Sequence, residues 1–357
     1  MLTRIPALLL LVGFCVAAPA ADDAKLAEQL AKDLQPKLVT FKGKDVKLSK
    51  VLRAVQEQTG FDVAAETDET IAKLELDKTP FWQAMETLAR ETDQRIMLYG
   101  RDRKIGLVAN ARGYREVPTS YSGPFRVTLK RMVQVHDLED NSGLGVARIE
   151  VSWEPRFQAF LLEPHLDSVE IKDDAGLIHK GLEREKGKIN ADDRMALEFD
   201  LPIPHLPRSR ARIASFSGTL TMIGSPKLLT FTLDKLAKGT KVEQEGVTVE
   251  IKNFREGKEL WTVDVGLKYP PTNVQFESFQ NWLISNQAYL VNKAGQRLNP
   301  AGYEADEGVT SMRYRFVEDE DKQIKLGKAA DWKLVYRTPA QIVEVPIKFN
   351  FKDVPLP

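Results

Sequence analysis

The feature that most constrains this chain is an alternation of apolar and polar residues that begins at Tyr114 and continues to residue 357. Apolar side chains recur at every second position in many short segments, such as Phe125, Val127 and Leu129, or Trp261, Val263, Val265 and Leu267. A period of two is typical of half-buried β-strands. The pattern therefore predicts β-sandwiches, over a region much longer than the roughly 100 residues of one ordinary sandwich.

A repeat within this region accounts for its length. Phe157 to Leu162 corresponds to Phe279 to Ile284, Ala175-Gly176 to Ala294-Gly295, and Ser225-Pro226 to Thr338-Pro339. The spacing between the matched segments drifts slightly, as loop insertions would make it. The sequence thus predicts two tandem all-β sandwich domains of the Ig-like type, one over 114–236 and the other over 237–357.

A second repeat precedes the β region and mixes strand and helix patterns. Five landmarks, Phe41, Leu48, Leu52, Val55 and Thr59-Gly60, correspond at one constant spacing to Leu74, Phe81, Met85, Leu88 and Thr92-Asp93. Each copy has alternating strand residues followed by apolar residues at helical spacing, and Thr79-Pro80 opens the second helix. An α+β module built from duplicated strand–helix units is therefore predicted over 37–111.

This module resembles the secretin and TonB short N-terminal domain, abbreviated STN. The resemblance rests on Leu48, Leu52 and Thr59-Gly60-Phe61, and on their repetition through Leu88, and it covers 37–111 only. It implies a periplasmic module that contacts other proteins of the bacterial envelope. No secretin core or receptor barrel follows the module, so the resemblance does not imply a channel or a transporter. Trp82, which follows the inward-facing Phe81, is a candidate partner contact, and a rim position against the module's own sheet is the alternative.

The first 20 residues have the features of a cleaved secretory signal. Arg4 precedes an apolar run over 5–16, and Ala18-Pro19-Ala20 supplies the small residues that a signal peptidase requires. An uncleaved anchor is the alternative, although the run is shorter than the ~20 residues that span a bilayer. Residues 1–20 are interpreted as a signal peptide, which predicts an exported protein, periplasmic or at the cell surface or secreted, that is not an integral membrane protein after cleavage.

Residues 21–36 predict a short lead-in helix. Leu26, Leu30 and Leu34 recur every four residues among charged and amide side chains, which gives one narrow apolar stripe. A lead-in segment that packs on its own domain is the favoured interpretation, and a docking helix for a partner is the alternative.

Composition excludes several classes of chemistry. The chain has 51 basic and 51 acidic residues, without the basic excess or stripe that nucleic acid binding needs. Cys15 is the only cysteine and lies within the predicted signal, so thiol catalysis, disulfides and cysteine-ligated metals are excluded from the mature chain. No Gly-x-Ser-x-Gly nucleophile motif occurs. No catalytic residue and no cofactor are predicted.

Histidines and acidic clusters offer no metal motif. His136, His165, His179 and His205 lack the i, i+4 spacing of a helical metal site and are interpreted as solvated, although all four fall in the first predicted sandwich, where a site assembled in three dimensions stays open. The acidic run at 137–141 has Ser142 where a calcium loop needs glycine. It is interpreted as a solvated turn, with adventitious calcium binding as the alternative. The other acidic clusters, at 173–174, 192–193 and 318–321, give no functional prediction.

Two hypotheses of function follow. The first is a non-enzymatic exported envelope protein that binds other proteins through the STN-like module, with the sandwiches as spacer or binding domains; free edge strands also leave a homo-oligomer open. The alternative is a carbohydrate-binding or carbohydrate-active protein of the cell surface that uses a row of exposed tryptophans from the sandwich region: Trp153, Trp261, Trp282 and Trp332. Trp153 and Trp261 share the phase of aliphatic neighbours, which favours core positions for both.

Overall fold

A computed structural model describes residues 28–98, 105–181, 187–191, 194–207, 209–269, 286–305 and 311–356. The predicted signal peptide, 1–20, lies outside these residues. Residues 28–33 are helical and belong to a unit distinct from the rest, whereas residues 36–356 form one compact unit. That unit is mostly β-structure in several sheets. Within the described ranges, no helix has the length and apolarity needed to span a bilayer.

The described residues of the N-terminal module form two helices and five strands. In chain order they are β1 (Leu38–Lys47), α1 (Leu48–Thr59), β2 (Val63–Ala65), β3 (Thr70–Pro80), α2 (Phe81–Glu91), β4 (Gln94–Met97) and β5 (Ile105–Ala109). Strand β1 pairs antiparallel with β3, and β5 lies between β4 and β2, parallel to β2. The order strand, helix, short strand thus occurs twice, as the repeat predicts; the duplication itself stays a prediction.

Both helices bury the apolar faces that their spacing predicts. In α1 the buried side chains include Leu48, Val51, Leu52 and Val55, and the helix ends at Gly60, whose φ of 76° is readily adopted only by glycine. Helix α2 begins at Phe81, one residue later than the Thr79-Pro80 pattern predicts, because β3 continues through Pro80 and leaves it in extended conformation. Such a shift is within the usual uncertainty of helix ends.

Among the described residues after the module, eighteen further strands occur. They are β6 (Thr119–Ser122), β7 (Phe125–His136), β8 (Gly143–Trp153), β9 (Gln158–Asp173), β10 (Ile178–Lys180), β11 (Ile189–Asn190), β12 (Ala196–Ile203), β13 (Arg212–Ser225), β14 (Leu228–Leu233), β15 (Lys241–Gln244), β16 (Val247–Glu256), β17 (Leu260–Lys268), β18 (Gln287–Asn292), β19 (Arg297–Leu298), β20 (Gly302–Ala305), β21 (Ser311–Val317), β22 (Trp332–Pro339) and β23 (Val343–Pro355). Every strand pair among them is antiparallel.

These strands form four sheets. In the first sandwich, the sheet β12-β8-β7-β6 accompanies the sheet β10-β9-β13-β23, in which β11 also pairs with β9. In the second sandwich, the sheets β14-β22-β18-β19 and β15-β16-β17-β21-β20 enclose one apolar core that includes Phe231, Trp261 and Trp332. The β-sandwich character predicted from the alternation is compatible with this arrangement.

The predicted boundary between residues 236 and 237 does not separate the sheets, which corrects the two sandwich ranges. Strand β14 precedes the boundary but pairs with β22 of the second sandwich, and β23 follows it but pairs with β13 of the first along 12 registered positions. The chain passes from one sandwich to the other after Ser225 and again after Thr338. The residues that follow, Pro226 and Pro339, have no backbone N–H to donate to a neighbouring strand. Each predicted copy therefore gives its last strand to the other sandwich.

Candidate functional site

The module covers one end of the outer face of the sheet β12-β8-β7-β6. On β7 and β8, Val127 and Val151 are buried on the inner face, as the alternation predicts. The outward-facing Arg126, Thr128 and Glu150 are buried as well, and Arg126 contacts Glu86 of the module. Met195 and Ala196 of the sandwich belong to the apolar core of the module.

A buried ionic network lies at this contact. Arg126 Nε donates to Glu86 Oε1 of α2 across 2.7 Å, and its Nη1 donates to Glu150 Oε1 across 3.1 Å. Lys130 Nζ lies 3.2 Å from Glu150 Oε2, and the Tyr114 hydroxyl donates to Glu86 across 3.2 Å. Burial and the Glu86 carboxylate raise the pKa of Tyr114 to about 12, so this tyrosine keeps its proton as a donor. Two cations and two carboxylates therefore balance one another beneath the module.

Trp82 belongs to the same contact, so the prediction that it contacts a separate partner is wrong. Its side chain is 2% exposed, and its indole N–H donates to the carbonyl oxygen of Pro124 across 3.0 Å. The backbone N–H of Lys37 donates to Glu154 Oε1 across 2.8 Å at the entry to the module. These contacts fix the module against the sandwich. Sequence reasoning missed Arg126 and Glu150 because charged residues at outward strand positions usually face water, and it missed Glu154 because a charged residue directly after a strand usually does too.

Two of the four histidines come together at the far end of the first sandwich. His136 is the last residue of β7, His205 lies two residues after β12, and their ring centres are 5.6 Å apart at an interplanar angle of 39°. Gly143 makes room for this pair, because a Cβ there would lie 2.4 Å from Cγ of His205. His165 instead contacts Thr221 at 2.7 Å, and His179 contacts Asp173 at 3.2 Å.

The histidine pair lines a cleft of about 530 Å³. Arg210 also lines this cleft and forms an ion pair with Asp173, whose Oδ2 lies 2.8 Å from Arg210 Nε. Burial opposes ionisation of Asp173, but His179, the Leu177 N–H and Arg210 outweigh it and hold the pKa of this carboxyl below its usual value. The positive charge of Arg210 at the cleft is therefore paired with the negative charge of Asp173.

The acidic loop 137–142 lies beside the pair and uses its carboxylates to close its own turn. Asp137 accepts from the Glu139 N–H at 2.8 Å, and Asp140 accepts from the Ser142 N–H at 2.9 Å. Bonds from Ser142, with a smaller contribution from the charge of His136, lower the pKa of Asp140. Over the described ranges no group of three or more histidine, aspartate or glutamate side chains is placed to hold a metal.

The tryptophan row expected for a sugar-binding face is not exposed where it can be observed. Trp153, Trp261 and Trp332 are buried, which confirms the core positions predicted for the first two. Trp282 and the acidic pair at 192–193 lie outside the described residues. A recess of about 510 Å³ on the second sandwich is lined by three lysines and two glutamates, of which Lys252 and Glu250 pair with each other at 2.6 Å.

One hairpin exposes an apolar face at the end of the sheet that lies away from the module. Val133 and Val135 of β7, Leu144 of β8 and Leu138 of the connecting loop are all exposed, and Val135 pairs directly with Leu144. A bulge between Leu129 and Arg131 places Val133, Val135 and Leu144 on the same outer face as Arg126. We call Val133, Val135, Leu138 and Leu144 the hairpin patch.

Comparisons with known proteins assign no family to this chain. No protein-family model matches the sequence, and the search of curated proteins finds no match.

Proposed function

We propose that this chain is a non-enzymatic binding protein of the bacterial envelope that receives a protein partner on the hairpin patch. The observation that carries the proposal is the exposure of four large apolar side chains on a single hairpin, with Val135 54% and Leu144 45% exposed. Clustered exposed apolar residues of this kind mark interaction sites more often than scattered ones do. The signal-peptide pattern and the STN resemblance support an envelope location.

The fixed module gives the proposed surface its shape. Because α2 is joined to the sandwich through Trp82 and the Arg126 network, the module and the hairpin patch lie along one rigid sheet face. The patch lies on the same sheet face as the module contacts, at the opposite end of β7. In this proposal the STN-like module and the Ig-like sandwiches act together as one binding body.

Removing the module is an unsuitable test, because it would leave Arg126 and Glu150 without their cover. A better test uses the mature chain with Val135→Asp as bait in an envelope extract, followed by mass spectrometry of captured proteins. Leu260→Asp is the matched control, since Leu260 is a similarly exposed apolar residue of the second sandwich. A partner retained by wild type and Leu260→Asp but lost with Val135→Asp supports the proposal, and equal capture by all three overturns it.

A further inference from the structure

The His136–His205 pair has a ring separation that a shared metal ion would allow. A metal about 2.0–2.1 Å from one nitrogen of each ring, with an angle at the metal between roughly 90° and 120°, places the ring centres roughly 4.5 to 5.6 Å apart. The observed separation is 5.6 Å. Both rings are partly exposed and line the cleft, so a hydrated ion can reach them.

We propose that His136 and His205 together bind one divalent transition-metal ion of the class that prefers imidazole, Cu²⁺ or Zn²⁺. Each residue gives one ring nitrogen, and water fills the remaining positions. Imidazole is a favoured ligand of both metals, and Cu²⁺ binds a given nitrogen site most tightly among the divalent first-row ions. This site goes beyond the proposed docking function and does not depend on it.

The surroundings of the pair favour a cation. The loop 137–142 brings Asp140 close enough to interact electrostatically with His136, and this carboxylate is exposed. The charged group on the other side, Arg210, is matched by Asp173 at 2.8 Å and by Asp174 at 3.9 Å. The net local field therefore does not oppose a divalent ion at the two rings.

Gly143 shows that the backbone accommodates this pairing. Any side chain at 143 would overlap His205 at Cγ, Cδ2 and Cβ, all closer than 3 Å to an added Cβ. The position begins β8 and faces the end of β12, so the close approach of His205 depends on a residue without a side chain. The site can thus be disturbed without removing either ligand.

The test is titration of the mature protein, prepared without a histidine tag, with Cu²⁺ and separately with Zn²⁺. Calorimetry measures affinity, and electron paramagnetic resonance of the Cu²⁺ complex counts coordinated nitrogens. We expect one site, two imidazole nitrogens, and affinity at least about tenfold weaker in His136→Ala and in His205→Ala. The double variant should bind more weakly than either single variant, because the imidazole that one substitution leaves behind still coordinates the ion by itself.

Two further variants separate ligation from structure. Gly143→Ala keeps both imidazoles and should weaken binding as much as a ligand deletion, with the melting temperature measured to verify folding. His165→Ala, whose imidazole contacts Thr221, should bind as wild type does. If His136→Ala does not fold, His136→Gln replaces it. Wild-type affinity in folded His205→Ala, a single coordinated nitrogen, or equal weakening by His165→Ala would each overturn the proposal.

Discussion

The indole N–H of Trp82 donates to the carbonyl oxygen of Pro124, joining the second helix of the module to the turn that precedes β7. The same carbonyl accepts the backbone N–H of Glu154 at 3.0 Å. One backbone oxygen therefore ties together the module, the start of β7 and the end of β8. A domain on a flexible tether would not share such a contact.

Replacing Trp82 with phenylalanine should cost about 0.5–1.5 kcal/mol of unfolding free energy, the usual contribution of one hydrogen bond. A value at the high end is expected: Pro124 keeps its bond from Glu154, but the smaller ring leaves a void at this buried position. Urea denaturation measures the change. Trp82→Ala, which also leaves a cavity, should cost about 3–5 kcal/mol; similar small losses for both variants would contradict the contact described.

Arg126→Met should destabilise the protein by about 3–5 kcal/mol, because Glu150, only 3% exposed, would lose its nearest buried cation. The matched control is Arg148→Met, which removes a partly exposed ion pair between β8 and Asp200 of β12. This variant should lose no more than about 1 kcal/mol of unfolding free energy. Chemical denaturation compares the two variants. Equal losses would mean that the Arg126 network is not buried as described.

Because β14 and β23 each pair with the other sandwich, a mutation in either strand should destabilise the sandwich in which the strand is paired. Phe351 of β23 packs against Phe216 of β13, so Phe351→Ala should speed amide hydrogen exchange in the first sandwich. Phe231 of β14 lies in the core of the second sandwich, so Phe231→Ala should speed exchange there. Each deletion should cost about 3–5 kcal/mol. Hydrogen exchange is measured by mass spectrometry. Faster exchange in the second sandwich of Phe351→Ala and in the first sandwich of Phe231→Ala would contradict the topology.

Asp173 predicts a contribution to acid stability. Its native pKa lies below the ordinary value of 3.8, so the unfolded chain takes up a proton first as the pH falls. The stabilisation is therefore present above pH 3.8 and is lost as the pH falls through the native pKa. The unfolding free energy should therefore depend less steeply on pH in Asp173→Asn than in wild type when both are measured between pH 5 and the native pKa. An identical dependence on pH would contradict the prediction.

Local patterns predicted the elements better than their partners. The alternation of Phe125, Val127 and Leu129 predicts a strand with those side chains buried, and spacing predicts both helices; each is present. Period two states which face is buried, but not which strand lies alongside. The pairing of β23 with β13 is set by contacts across the whole fold, so a boundary drawn from the repeat placed β23 in the wrong sandwich.

The candidate site was beyond local patterns for the same reason. His136 and His205 lie on different strands, and only the pairing of β8 with both β7 and β12 brings them together. Gly143 gave no signal, since a glycine near a turn is common. Arg126 has the outward phase of a solvated side chain, and only the module over it makes it buried.

The crossing of β23 has a consequence for the order of assembly. Arg212 of β13 and Asp353, the residue whose carbonyl it contacts, are separated by 141 positions in sequence. During synthesis, β13 waits for its neighbour until the whole second sandwich has been translated. Contacts this distant in sequence slow folding. Most of the first sandwich is thus synthesised before the second, but its folding is completed after it. Until β23 is synthesised, the edge of β13 that pairs with β23 stays without a neighbouring strand.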